Sequence, residues 1–404
     1  MKEAQKQLLH LINAVRRGEK AAWEEEVPLW QEIIEQADAH HIKGLIYPGI
    51  DNESIQKVEP QLLKNWKKDV FITGVSQSQH IAQVVEVLEA FQKMNVPVIV
   101  LKGLVVRQFY PRPELRTMSD ADFLVPLRDL EKIESYLLSL GYVKEEASPV
   151  HIAYVHPKRT TIEVHWTIRD ARIFEQVNSL EEELWNEAVP VKIRHIEVLS
   201  LGLEDLIIHL CAHMATHLLV GGFGVRQVLD LALLLEQKED EVNWENFKRK
   251  AQVWKLEVFI VAVIGICHEL FELPMPEGVK SLGENNEKII NELIEEIFDG
   301  GVYGRSDMTY VFAHELAANR GEGDDKRGTI HNFLDFLCPA KENLSDTYHY
   351  AKKYPILLPI AWIHHFYRGM THHDYSIKEK IKFSCKAYII SKKRSQLLKQ
   401  LELN

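Results

Sequence analysis

The feature that most constrains how this chain can fold is a short apolar strand that begins with two acidic residues. Residues 120–125 read DADFLV, so Asp120 and Asp122 lead directly into an apolar run. Alternate residues of a β-strand point to the same face, which places the two carboxylates side by side. Like charges held this close repel each other unless a cation lies between them, and hard divalent ions prefer oxygen ligands. Because the apolar run indicates a strand that enters the core, the pair predicts a functional site.

A second strand offers a third carboxylate. Residues 161–166 read TIEVHW, in which apolar residues alternate with Glu163 and His165. This alternation predicts a strand whose polar face carries a carboxylate and an imidazole. If the strand lies beside residues 120–125, Glu163 completes a cluster of three acids. Such a cluster can hold two Mg²⁺ ions about 4 Å apart, one lowering the pKa of an attacking hydroxyl and the other stabilising a triphosphate and its leaving oxygen.

A Lys-Gly turn precedes the acidic strand. Residues 96–101, VPVIVL, form a β-branched apolar run that predicts a buried strand, and Lys102 and Gly103 follow it directly. A junction of strand, glycine and helix directs backbone N–H groups and the positive helix end outward, where they suit a phosphate. Since glycine closes many strand–helix turns, this signal is weak by itself and gains weight from the acids that follow.

The spacing of apolar residues divides the chain into an α+β core between two helical regions. Residues 1–69 predict an N-terminal helical segment, 70–170 an α/β core with a small mixed sheet flanked by helices, and 171–404 a large helical C-terminal region. Glycine-rich stretches place a possible subdivision near 300–328. Predicted strands occupy 96–101, 120–125, 142–144, 151–156, 161–168 and 191–199, and predicted helices include 127–140, 203–219, 225–237, 244–271 and 286–298.

Charge and cysteine content narrow the partners and the compartment. The 48 Lys and Arg are outnumbered by 59 Asp and Glu. With a net charge of −11, the surface as a whole does not attract nucleic acid or anionic lipid, so any basic binding surface must be local. Eight Lys and Arg from residue 376 onward leave open a solvated helix or a local polyanion-binding face. No cysteines form a Cys-x-x-Cys pair, which predicts free thiols in a reducing cytosol; the four are Cys211, Cys267, Cys338 and Cys385. No apolar run has the length of a membrane span or the pattern of a secretory signal, so we expect a cytoplasmic protein without a membrane partner.

Three histidines recur at helical spacing in a later segment. His209, His213 and His217 lie four residues apart, on one face of a predicted helix. The metalloprotease signature requires a glutamate beside the first histidine, and leucine and cysteine follow it here. A metal bound by two of the three stays open, beside packing or hydrogen bonding near the acidic site.

The motifs together resemble the DNA polymerase β-like nucleotidyltransferase superfamily, and more narrowly the group described as uncharacterised nucleotidyltransferases. The pattern of that group joins a Lys-Gly turn, a Tyr-Pro, an arginine, an Asp-x-Asp pair, and an acid followed by His-Trp. The matching residues here are Lys102-Gly103, Tyr110-Pro111, Arg116, Asp120 and Asp122, and Glu163, His165 and Trp166. The resemblance covers about 90–240, including a helix with Arg226 and Asp230. Two departures are a Lys-Gly in place of the superfamily's usual Gly-Ser, and a glutamate where the third acid is commonly aspartate.

The resemblance implies a role for each matched residue. Asp120 and Asp122 would bind both Mg²⁺ ions, and Glu163 would bind the catalytic ion and orient or deprotonate the acceptor hydroxyl. The residues implied in holding the nucleotide are Lys102, the Gly103 backbone, Arg116, Ser119 and His165. The reaction would transfer a nucleoside monophosphate to an acceptor with release of pyrophosphate, by positioning and electrostatics. ATP is the expected donor because it is abundant, and a cleft between core and helices would bind it.

Two alternatives to this function stay open at the level of sequence. One is a catalytically degenerate protein that binds nucleotides or partners, against which the three acids argue. The other is an RNA- or tRNA-directed nucleotidyltransferase, which the acidic net charge disfavours and the basic C-terminal stretch supports. The acceptor could be a small hydroxylated metabolite, a sugar, a peptide product or a protein side chain.

Overall fold

The chain divides into two compact units. The structure is a computed structural model that describes residues 1–23, 28–170, 179–283, 286–301, 348–354, 357–371 and 377–403. One unit comprises residues 1–216 and 222–304, and the other comprises 217–221 and 305–404. Every residue predicted to form the site belongs to the first unit. The predicted boundaries at 69 and 170 stay a prediction.

Helices flank one sheet among the described residues of the first unit. They are α1 Glu3–Arg16, α2 Trp30–Ala39, α3 Lys43–Ile46, α4 Pro60–Lys93, α5 Gly103–Val106, α6 Leu130–Ser139, α7 Ser179–Asn186, α8 Leu203–Val220, α9 Val225–Lys238, α10 Trp244–Trp254, α11 Glu257–Phe271, α12 Glu277–Lys280 and α13 Glu287–Gly300. The longest, α4, starts with a proline, whose missing N–H costs nothing in the first turn. The Glu59 carboxylate before it accepts a hydrogen bond from the Leu62 N–H, at 2.6 Å.

The sheet has seven strands among the described residues and mixes parallel with antiparallel pairs. The strands are β1 Ile99–Val100, β2 Asp120–Leu124, β3 Val143–Lys144, β4 His151–His156, β5 Arg159–His165, β6 Val189–Ile193 and β7 Ile196–Ser200. Their order is β3-β4-β5-β2-β1-β7-β6. A mixed sheet flanked by helices confirms the expected α+β class.

The register of the central strands determines which polar side chains meet. Strand β2 runs parallel to β5, and Asp122 is paired with Glu163. Strand β4 runs antiparallel to β5, and His151 is paired with His165. Because paired residues of neighbouring strands point to the same face, these four side chains lie on one side of the sheet.

Several elements differ from the sequence-based expectation. The predicted strand at 96–101 shrinks to Ile99–Val100, which pairs with β2 on one side and β7 on the other. The predicted strand at 191–199 is a hairpin that turns at Arg194, in the left-handed region with φ +56°. The predicted helix at 244–271 is broken at Lys255, which has φ +53°. In the last two cases the apolar pattern continues on both sides of the turn, so periodicity alone does not reveal it.

Besides residues 217–220 at the end of α8, the second unit contributes three described helices. They are His349–Lys353, Leu358–Thr371 and Ile377–Gln400. Tyr348, Ala351 and Ala361 form a small buried apolar cluster between the first two. The glycine-rich stretch at 320–328 and Cys338 lie outside the described residues, as does most of the stretch at 300–304.

Two findings bear on the predicted compartment. Cys211 and Cys267 are free and buried, and burial raises the pKa of each thiol. Within the described part of the chain, one helix is long and apolar enough to cross a membrane, namely α8. The protein buries 61% of that helix, as it would a core helix.

Candidate active site

Three carboxylates converge on one face of the sheet. Asp122 and Glu163 are paired across β2 and β5, and both carboxylates contact His165 Nε2, at 3.2 and 3.4 Å. Asp120 comes two residues before Asp122 on the same strand, so its side chain points to the same face. Asp122 is 6% exposed, whereas the Glu163 side chain is 22% exposed and accessible from solvent. The structure therefore brings together the three predicted acids.

Lys102 lies among these acids and has a strained backbone. Its Nζ is 3.4 Å from Asp122 Oδ1, and its side chain is 14% exposed. Burial alone would lower the pKa of Lys102, but the three surrounding carboxylates raise it. Its φ of +35° and ψ of −106° are rare for a residue with a Cβ, and such a conformation costs about 1–3 kcal/mol. The residue with the strained backbone is therefore the one whose ammonium group faces the carboxylates.

The two aspartates differ in their affinity for protons. Burial and the neighbouring charge of Asp122 raise the pKa of Asp120 above its usual range. Burial would also raise the pKa of Asp122, but Lys102 and a hydrogen bond from His165 hold it well below the usual range. Asp122 therefore ionises more readily than Asp120. The repulsion between the two carboxylates appears in the raised pKa of Asp120.

His165 joins the acids, and a second histidine lies beside it. His165 Nε2 is 3.2 Å from Asp122 Oδ1 and 3.4 Å from Glu163 Oε2. These hydrogen bonds raise the pKa of His165, although burial opposes the shift. The ring of His151 lies 4.7 Å from that of His165, between centroids, and its Nε2 is 3.8 Å from Glu163 Oε2. His151 was not predicted as a site residue.

Arg116 and Gly103 lie behind the acids. Arg116 makes two hydrogen bonds to Asp230 of α9, Nε to Oδ1 at 3.0 Å and Nη2 to Oδ2 at 2.6 Å. The Tyr110 hydroxyl donates to the same carboxylate, at 2.7 Å. A Cβ at Gly103 would lie 2.7 Å from Arg116 Nη1, so only glycine allows the turn to approach the guanidinium this closely. Arg116 is thus held by an acid, and its contact with a triphosphate stays a prediction.

Two further residues of α8 and α9 border the site. Arg226 donates through Nη1 to the backbone oxygen of Thr117, at 2.8 Å, and its charge partly opposes the rise in the pKa of Asp120. His209 is buried, and neither ring nitrogen has a hydrogen-bond partner among the described residues. Burial lowers the pKa of His209 to about 3, and the charges of Lys102 and His165 act in the same direction. The sequence suggested these helices as neighbours of the site but assigned no contact.

The last predicted residue, Ser119, is exposed and directly precedes Asp120. Of two described cavities, one of about 400 Å³ lies beside Val125 and Trp166, which follow β2 and β5. The other, of about 330 Å³, lies beside Arg16 and Leu235. Neither of these two cavities is lined by a predicted site residue.

The chemistry of the donor set fits a divalent cation. Three carboxylates meet one ammonium group, so Lys102 does not neutralise their charge. The contacts to Asp122, 3.4 Å from Lys102 Nζ and 3.2 Å from His165 Nε2, are long for charge-assisted hydrogen bonds. Carboxylate oxygens are the ligands that Mg²⁺ prefers, and the acids that would hold it are Asp120, Asp122 and Glu163.

Comparison with known proteins identifies a family model. The model described as uncharacterised nucleotidyltransferase matches residues 27–272. This stretch is more than half of the chain and contains every predicted site residue. It confirms the resemblance drawn from the motifs and extends it on both sides of 90–240.

Other comparisons are weaker. No curated protein matches the chain. The lincomycin-bound crystal structure of the lincosamide antibiotic adenylyltransferase LnuA is 16% identical, covers 38% of this chain and 94% of its own, and has a TM-score of 0.29. The solution structure of the antibiotic-resistance factor ANT(2'')-Ia is 14% identical, covers 41% of this chain and 87% of its own, and has a TM-score of 0.31.

Proposed function

We propose that this chain, which belongs to the uncharacterised nucleotidyltransferase family, is a Mg²⁺-dependent enzyme that transfers AMP from ATP to an acceptor. Family membership makes the protein a nucleotidyltransferase. The acceptor provides a hydroxyl or phosphate oxygen, and pyrophosphate is released. The observation that carries the proposal is the pairing of Asp122 with Glu163 beside Lys102, which joins a buried carboxylate to one that solvent reaches.

The residues of the cluster divide the work of binding. Asp120, Asp122 and Glu163 would hold Mg²⁺, which when bound lowers the pKa of an attacking hydroxyl and neutralises charge on the phosphates. Lys102 provides a positive charge beside the carboxylates. The backbone of its turn lies close to the Arg116 guanidinium, which is possible because Gly103 lacks a Cβ. A charge-assisted hydrogen bond from Lys102 to a phosphate oxygen would contribute about 1.5–3 kcal/mol. Ser119 and His165 complete the proposed nucleotide-binding set.

The proposed reaction is an in-line displacement at the α-phosphorus of ATP. The acceptor oxygen forms a bond to that phosphorus, while the bond from phosphorus to the bridging oxygen breaks and its electron pair leaves with pyrophosphate. The acceptor proton passes to the Glu163 carboxylate, whose side chain is 22% exposed. Positioning and electrostatic stabilisation carry most of the catalysis in reactions of this kind.

Arg116 acts mainly by positioning in this scheme. Two of its nitrogens bind Asp230, so only Nη1, 3.4 Å from the Thr117 oxygen, faces the Gly103 turn. The guanidinium thereby supports the turn that presents Lys102. Nη1 is the guanidinium nitrogen that does not bind Asp230, so a direct hydrogen bond from Arg116 to a phosphate would come from Nη1.

The test measures pyrophosphate release by the purified full-length chain. Each of the four NTPs is supplied with MgCl₂ and a panel of hydroxylated metabolites, sugars, peptides and RNA, and label transfer to the acceptor is followed in parallel. We expect ATP to be used, and Asp120→Asn and Asp122→Asn each to lower the rate at least about a hundredfold, as loss of a charge-stabilising group does. Asp240→Asn, at an exposed acid remote from the cluster, is the matched control.

The result can oppose the proposal in two ways. If ATP binds with unchanged affinity in the aspartate variants and no pyrophosphate appears with any acceptor, the carboxylates do not serve catalysis. If RNA alone is labelled, and binding declines steeply with salt, the acceptor class is nucleic acid.

A further inference from the structure

Two neighbouring strands bring two histidines and a glutamate together at the edge of the carboxylate cluster. His151 of β4 faces His165 of β5, and Glu163 lies two residues before His165 on the same face. The three ligand atoms lie within 4.8 Å of one another. His151 and Glu163 are each about a quarter exposed, at 26% and 22%, so an ion can reach them from solvent.

The distances match the spacing of ligands around a small metal ion. In a tetrahedral site with bonds of about 2.1 Å, ligand atoms lie about 3.4 Å from one another. Glu163 Oε2 is 3.4 Å from His165 Nε2 and 3.8 Å from His151 Nε2. Asp122 Oδ1 is 3.2 Å from His165 Nε2, in the position of a neighbouring ligand. Both imidazoles thus direct Nε2 towards the same carboxylate oxygen.

A buried histidine near this cluster makes no hydrogen bond within the described residues. His209 is buried close to Lys102 and His165, and neither of its nitrogens has a hydrogen-bond partner in the part of the chain that the structure describes. A buried polar group without a partner costs about 1–3 kcal/mol, so a water or ion bound against His209 would relieve this cost.

We propose that His151, Glu163 and His165 bind a divalent transition-metal ion of the Zn²⁺ class, at a site beside the proposed Mg²⁺ ligands. Two imidazoles and one carboxylate form a set that such ions prefer, whereas Mg²⁺ prefers oxygen ligands and near-octahedral geometry. Glu163 belongs to both sets. The protein therefore has positions for two chemical classes of cation, side by side on one face of the sheet.

Calorimetric titration of the metal-stripped full-length chain with ZnCl₂ tests the site. We expect one Zn²⁺ per chain, still bound in a large excess of MgCl₂. His151→Phe keeps an aromatic ring against His165 but removes the ligand nitrogens, and His151→Gln removes the ring as well. Both should weaken Zn²⁺ binding more than about tenfold, since even loss of a residue behind a metal ligand costs about 10–100-fold. His156→Phe, on the same strand but outside the cluster, should bind as the wild type does.

A second measurement reports geometry. Co²⁺ bound in the same titration should give the intense visible absorption of a four-coordinate nitrogen and oxygen site, and this absorption should be lost in both His151 variants. Thermal unfolding without metal verifies that the variants are folded. Zn²⁺ binding that is absent in the wild type, that persists in both folded His151 variants, or that Mg²⁺ abolishes would overturn the proposal.

The outcome is separable from that of the proposed function. Zn²⁺ binding is measured without nucleotide or acceptor. Loss of Zn²⁺ binding in the His151 variants, with no pyrophosphate release by any form of the protein, would support the metal site and oppose the transfer reaction. Pyrophosphate release without Zn²⁺ binding would do the reverse.

Discussion

Lys102 and Arg116, two cationic side chains that the sequence assigned to the same triphosphate, lie in opposite electrostatic surroundings. Arg116 makes two short hydrogen bonds to Asp230, and Tyr110 donates to the same carboxylate. Lys102 lies among three carboxylates, and its Nζ comes no closer than 3.4 Å to the oxygen of its ion pair, Asp122 Oδ1. The charge of Arg116 is balanced by the carboxylate of Asp230, whereas the charge of Lys102 faces three carboxylates.

The difference indicates which group is available to a ligand. A buried arginine that already makes two hydrogen bonds to a carboxylate has few N–H groups left for a ligand. Displacing that carboxylate would leave the guanidinium charge buried without a partner. An excess of carboxylates with long contacts can instead accept a cation without breaking a short bond. We therefore expect Lys102 and the acids to carry function, and Arg116 and Asp230 to carry stability.

The largest effect should follow the loss of Asp230. Asp230→Ala leaves Arg116 buried without its acid and removes the acceptor of Tyr110, so the free energy of unfolding should fall by about 3–5 kcal/mol. Denaturant unfolding measures this change, with Asp240→Ala at an exposed site as the control. Lys102→Met should cost much less stability, because Asp122 keeps His165 as a partner, while lowering the rate of transfer. Equal losses of stability in the two variants would contradict the distinction between the two regions.

An intermediate effect is expected where the two regions touch. In Gly103→Ala, the new methyl group would lie 2.7 Å from Arg116 Nη1 and 3.0 Å from Met118 Sδ. Because Asp230 holds the guanidinium, it cannot move aside freely, and such overpacking costs about 1–3 kcal/mol. Gly74→Ala in α4, where no atom lies within 4 Å of the new methyl group, should be neutral or stabilising by up to about 1 kcal/mol. Thermal unfolding of the pair checks the contrast, which would be refuted if both substitutions were harmless.

The smallest effect, with the opposite sign, should come from Asp120→Asn. Burial and Asp122 raise the pKa of Asp120 in the folded protein, so folding is penalised once this carboxyl ionises. The penalty is absent below the ordinary value near 3.8, grows as the pH rises towards the raised pKa, and is complete above it. Asp120→Asn should therefore be more stable than the wild type at pH 7, with the difference disappearing as the pH falls to about 3.8. Unfolding measured across this range without divalent cations decides the sign, and a destabilised variant at pH 7 would contradict the repulsion.

The fold was largely accessible to sequence because its strands carry clear patterns. The acidic strand was predicted at 120–125 and lies at Asp120–Leu124, and the strand at 151–156 has the predicted bounds. Tight turns inside a continuous apolar pattern escaped prediction. Arg194 and Lys255 adopt the left-handed conformation although neither is glycine or asparagine, so no residue type announced the break.

The candidate site likewise has features that the sequence predicted and features that it did not. Sequence alone indicated which residues share a face, because strand alternation is a local property: Asp120 with Asp122, and Glu163 with His165. His151 could have been found from the hairpin of β4 and β5, whose short turn pairs it with His165. The partner of each charge depended on the tertiary structure, because Asp230 reaches Arg116 across 114 residues of chain, and only helix packing brings them together. The sequence thus determined the residue types and faces of the candidate site, while strand register and helix packing decided which charges are neutralised and which remain to bind a ligand.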